Sequence, residues 1–170
     1  MTQKKKKKQT QNLLNDKSPS FLVIDEWLFH CLDGSNGSEK QYIAGLFILG
    51  LLNKYEGKVL VLAESPFQKK LNKLRLITDP RIRGLSQLLH TSIINNSEKT
   101  IFIQKDQISD LPARLTKIPL DDQYLFQLFL KKRNSCIVTC DNRLISILRA
   151  NNIRDITIMT IENFITVFFS

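Results

Sequence analysis

The feature that most constrains this chain is a recurring unit of a short, uninterrupted apolar run followed by a longer segment with helical spacing. Phe21–Ile24 is apolar throughout; the other strand candidates are Lys58–Leu62, Thr100–Ile103, 136–139 and 155–159, the last of which includes Asp155 and Thr157. A strand with one wet face alternates apolar and polar residues; a run without alternation is buried on both faces, as in a parallel sheet. Parallel neighbours need a crossover, usually a helix. Helices are expected over residues 26–32, 41–55, 65–76, 82–91, 121–132, 143–150 and 161–169. In the second of these, Ile43, Leu46, Phe47, Gly50, Leu51 and Tyr55 recur at helical spacing. Residues 104–120, broken by Pro112 and Pro119, are expected to be irregular or weakly helical. Strand and helix thus alternate, which predicts a three-layer α/β/α domain over residues 20–170 with a central parallel sheet of four to five strands.

At 170 residues, with 42% hydrophobic and 24% charged residues, the chain fits one domain with a substantial core. The formal net charge is +9. Much of it lies in residues 1–19, where Lys4, Lys5, Lys6, Lys7, Lys8 and Lys17 face only Asp16. This segment reads as a basic tail, disordered until bound. Such a charge suits a polyanionic partner, since each neutralised phosphate releases counterions. The most apolar stretch, 43–52, is too short for a bilayer, and no apolar segment follows the basic N-terminus. A cytoplasmic protein without membrane contact is expected. Cys31, Cys136 and Cys140 are too few for a disulfide framework, and no second Cys or His pair completes a zinc site around the last two. They read as buried free thiols. Neither GxGxxG nor GxxxxGK[ST] occurs, so nucleotide binding by those loops is unsupported.

In open α/β sheets, ligands bind outside the carboxyl ends of the strands. Asp25, Glu64 and Asp141 follow the first, second and fourth strands, and Asp121 and Asp122 begin the helix before the fourth. Carboxylates packed together repel one another unless a cation holds them. Oxygen donors without histidine favour Mg²⁺ or Mn²⁺ over Zn²⁺. Such ions lower the pKa of a bound water and stabilise charge on a phosphate under attack.

Four stretches together resemble the PIN-domain family. FLVIDEWLFHCL (21–32) is similar to its opening of strand, Asp and helix. CIVTCDNRL (136–144) is similar to its fourth-strand signature of Thr, variable residue and Asp. IPLDDQYLFQLFLKKRNS (118–135) resembles the preceding helix, begun by an acidic ligand, and RANNIRDITIMTIENFI (149–165) its closing strand and helix. The resemblance spans residues 21–169. It implies a Mg²⁺- or Mn²⁺-dependent endoribonuclease acting on RNA, with Asp25, Asp122 and Asp141 as metal-binding acids. Glu64 is the candidate for the remaining acid, although it directly follows its strand, where the family's acid sits inside the next helix. Thr139 matches a Ser/Thr that orients a carboxylate or water, and Asn142 a position able to bind metal through water. The resemblance also leaves room for a toxin–antitoxin role with an antitoxin-like partner, and for a homodimer. The alternative is a PIN-like module that binds RNA or protein without cutting.

Other residues near these acids carry plainer expectations. Asp121 is read as the helix N-cap and Asp122 as the inward acid, both being kept as metal candidates. Glu26 is expected to face solvent, and Trp27 to lie in the core or to stack on a base. His30 and His90 are read as core or surface histidines rather than bases. Lys69, Lys70, Lys73 and Arg75 form the wet side of their helix or a phosphate track.

Overall fold

The structure, a computed structural model, describes residues 18–169. Residues 1–17, most of the expected basic tail, lie outside the described residues. The elements run β1 (Phe21–Ile24), α1 (Trp27–Leu32), α2 (Ser38–Asn53), β2 (Lys58–Leu62), α3 (Pro66–Leu74), α4 (Pro80–Leu88) and β3 (Thr100–Ile103). They continue with α5 (Gln123–Lys131), β4 (Ser135–Thr139), α6 (Asn142–Ala150), β5 (Ile158–Thr160) and α7 (Ile161–Phe164). A π-helical turn, Leu89–Ile94, extends α4, and another, Ile165–Phe169, extends α7.

All five strands are parallel and ordered β3-β2-β1-β4-β5. Consecutive residues of β1, β2 and β4 are buried. Because neighbouring side chains point to opposite faces, both faces of the sheet are covered, which is the expected α/β/α arrangement. The strand order reverses at the centre: β1 is flanked by β2 on one side and β4 on the other. In open α/β sheets such a reversal marks the crevice where ligands bind, here at the carboxyl ends of β1 and β4.

Helix ends follow local chemistry. Ser65 caps α3 through its hydroxyl, which accepts from the Gln68 N–H, and Pro66 takes the first helical position. Asp79 and Pro80 begin α4 in the same manner, so the helix expected from residue 82 starts two residues earlier. The expected helix at 41–55 begins at Ser38, and its last turn stops at Asn53. The fifth strand is shorter than expected and shifted: Ile137, Val138 and Thr139 pair with Ile158, Met159 and Thr160.

One core unites both layers. Its aromatic centre is Phe164, whose ring meets Phe47 edge-on at 5.9 Å and Phe169 at 5.3 Å. Gly50 is the point of closest approach, since a Cβ there would sit 2.1 Å from the Phe169 ring. Gly50→Ala is therefore expected to displace the closing turn and to destabilise by about 1–3 kcal/mol despite the better helix propensity of alanine. Thermal denaturation checks this, and a stabilised variant would contradict it.

Candidate functional site

Asp25 terminates β1 inside the protein and is only 1% exposed. Its backbone N–H donates to the Val138 carbonyl at 2.9 Å, continuing the β1–β4 ladder and fixing the carboxylate beside the end of β4. The Thr139 hydroxyl donates to Asp25 Oδ2, and the Trp27 N–H approaches Oδ1 at 3.3 Å. The Thr139 oxygen in turn accepts from the Asp141 N–H at 2.8 Å. Thr139 thus ties the two strand ends together, positioning both Asp25 and the turn that carries Asp141.

The Asp141 carboxylate caps α6 by accepting from the Arg143 N–H at 2.7 Å through Oδ1. Asp122 stands at the N-cap position of α5 but makes no side-chain capping bond. Asp121, expected to be that cap, instead lies inside a 3₁₀ turn, Leu120–Asp122, and is exposed. The extra turn moves the start of α5 by two residues from the expected position.

The electrostatics show which acids share a locality. Burial pushes the Asp25 carboxyl up to about 7, against the lowering effect of Thr139 and Trp27, and the charges of Asp122 and Glu26 push the same way. Asp122 is raised to about 6, first by burial and then by Glu26, Asp141 and Asp121, with Arg143 opposing. Asp122 is thus the acid on which the repulsion converges, from Glu26, Asp141 and Asp121, and it acts in turn on Asp25.

Glu26 is the residue that sequence reasoning missed. Expected to face solvent, its side chain is only 13% exposed. It accepts from Lys70 Nζ at 3.1 Å and from the Tyr124 hydroxyl at 3.2 Å. Lys70 also reaches His30 Nε2 at 2.9 Å, so a basic residue of α3 leans onto the acidic crevice. The signal available was adjacency, since Glu26 directly follows Asp25; helical periodicity alone sent it outward. Trp27, whose core placement was one expectation, is 39% exposed with its ring 4.9 Å from His30.

Glu64 is not brought to this group. Its exposed carboxylate pairs with Lys105 at 2.8 Å, which lowers its pKa. Its backbone is left-handed, with φ of 59°, and its N–H donates to Gln68 Oε1 at 2.7 Å. That turn carries the side chain away from the crevice. Asn142, in the first turn of α6, is exposed.

The donor set is all oxygen, as a hard divalent cation requires, and the mutual repulsion is of the kind a cation relieves. Among the described residues, as placed, no three His, Cys, Asp or Glu side chains stand close enough to hold one ion. Ligation by Asp25, Asp122 and Asp141 together therefore requires side-chain rotation at the two helix starts. No family model matches the chain, and no curated protein is similar to it in sequence. Among the described residues, no helix is long and apolar enough to cross a membrane.

Proposed function

We propose that this protein is a metal-dependent nuclease that hydrolyses RNA phosphodiester bonds. The carrying observation is Thr139, which joins the buried Asp25 carboxylate to the turn bearing Asp141 at the reversal point of the sheet, with the Asp25 and Asp122 carboxyls both held above their ordinary range. Asp25, Asp122 and Asp141 would hold Mg²⁺ or Mn²⁺. Bound there, the ion supplies a water of lowered pKa and neutralises charge on the attacked phosphate. Thr139 keeps the Asp25 carboxylate aimed into the crevice. Glu26, compensated by Lys70, serves as a rim acid and takes the place that sequence spacing offered to Glu64.

A polyanionic substrate is supported by the net charge of +9. A cleft of about 320 Å³ lined by Asn72, Arg75, Leu76, Arg83 and Gln87 adds two guanidinium groups, Arg75 at the C-terminal end of α3 and Arg83 on α4; α3 also carries Lys70. Guanidinium forks suit phosphate oxygens. RNA rather than DNA rests on the PIN-domain resemblance.

The test is a mixed RNA pool incubated with the purified chain and Mn²⁺. Cleavage is expected, with a loss of about 100-fold or more in both Asp25→Asn and Asp141→Asn, since each removes a charge from the proposed cation site. Undiminished cleavage in both variants would trace the activity to a contaminant. The separation of the acids favours one other reading, a module that binds RNA without cutting it. Retained RNA binding with no cleavage at saturating Mn²⁺ would establish that reading.

A further inference from the structure

Away from the carboxylates, the parallel pairing of β1 and β4 brings two distant cysteines together. Cys31 lies on α1, which follows β1, and Cys140 directly follows β4. Their sulfurs are 3.0 Å apart and share an S–H···S hydrogen bond. A disulfide needs about 2.05 Å between sulfurs, so closing the pair requires a movement of about 1 Å. Cys31 is buried while Cys140 is partly exposed, which gives a small reagent a route to the pair. The third cysteine, Cys136, is buried within β4 with its sulfur on the Ile137 carbonyl, and provides an internal control.

We propose that Cys31 and Cys140 are an oxidative modification site that closes into an intramolecular disulfide on exposure to a hydroperoxide and reopens with thiols. In the first step one sulfur of the pair attacks the peroxide. The O–O bond breaks, a sulfenic acid forms and one water leaves. In the second step the other sulfur attacks the sulfenic sulfur. The S–S bond forms, the S–O bond breaks, and the thiol proton leaves with the hydroxide as a second water. Two electrons pass from the thiols to one hydrogen peroxide, which ends as two waters. A dithiol returns both electrons by exchange through a mixed disulfide.

The consequence for the crevice rests on the nuclease reading. Cys140 sits between Thr139, which holds Asp25, and Asp141. A bond from Cys140 to α1 would hold the turn in the arrangement in which the Asp141 carboxylate caps α6, opposing the rotation that ligation requires. Oxidation is therefore expected to weaken Mn²⁺ binding.

The experiment treats the full chain with hydrogen peroxide, counts thiols after denaturation and maps peptides without reduction. Loss of two of the three thiols is expected, with one cross-linked peptide joining Cys31 to Cys140. Dithiothreitol is expected to restore both thiols. Cys31→Ser and Cys140→Ser should each abolish the cross-link, and Cys136→Ser should leave it. Three intact thiols, or oxidation confined to a single sulfur as a sulfinic acid, would overturn the proposal. Mapping reads the bond without RNA or metal, so a failed nuclease assay and a failed cross-link remain separate outcomes.

Discussion

Asp25→Asn is expected to raise the melting temperature of the cation-free protein at pH 8 by about 5 °C or more, while removing its stabilisation by Mn²⁺. The reason is the position of Asp25. Its carboxyl has an ordinary value of 3.8 and is raised to about 7 in the fold, chiefly by burial. Between these values the folded chain holds a proton that the unfolded chain has released. Stability therefore falls as pH rises from about 4 to about 7 and stays low above that, the reverse of an ion-paired aspartate. Three pH units correspond to an upper bound of about 4 kcal/mol. Asp122, raised to about 6, adds a decline of the same sign over a narrower window. Asparagine keeps the shape, can accept from Thr139 and carries no charge to desolvate. Melting curves with a chelator at pH 5 and pH 8 measure the effect. The gain from Asp25→Asn should be large at the higher pH and small at the lower. An equal or lower melting temperature at both would show that the buried carboxylate is not under strain. A site that weakens the fold until a ligand arrives is a common trade between stability and function.

Phe164→Ala should produce the largest loss of stability, about 3–5 kcal/mol, which lowers the melting temperature by about 10 °C. Phe164 is fully buried, and its ring lies 4.8 Å from Phe168, 5.3 Å from Phe169, 5.9 Å from Phe47 and 6.4 Å from Tyr55. Its removal opens a cavity between the closing segment and α2. Val167, 47% exposed on the same segment, supplies the control, and Val167→Ala should change stability by less than about 0.5 kcal/mol. Similar small effects from both would mean that the closing segment does not seal the core.

The strands were legible because burial on both faces leaves a direct trace: Phe21–Ile24 and Lys58–Leu62 lie where uninterrupted apolar runs stand. The fifth strand was displaced because its register is set by pairing with Ile137, Val138 and Thr139, a contact that local pattern does not encode. The juxtaposition of Asp25 with Asp141 followed from the rule that strand ends share one rim. The places of Glu26 and Glu64 did not. Glu26 is turned inward by Lys70 and Tyr124, 44 and 98 residues away in the chain. Glu64 is turned outward by a left-handed backbone and by Lys105. The Cys31–Cys140 contact was hidden for the same reason, since it exists only once β1 and β4 are paired.

The most direct measurement of the central claim is a crystal structure of the protein soaked in Mn²⁺, with data collected at the manganese absorption edge. The expected result is an anomalous peak in the crevice between β1 and β4, coordinated by carboxylate oxygens of Asp25, Asp122 and Asp141. A peak held elsewhere, or a crevice without one at saturating Mn²⁺, would contradict it.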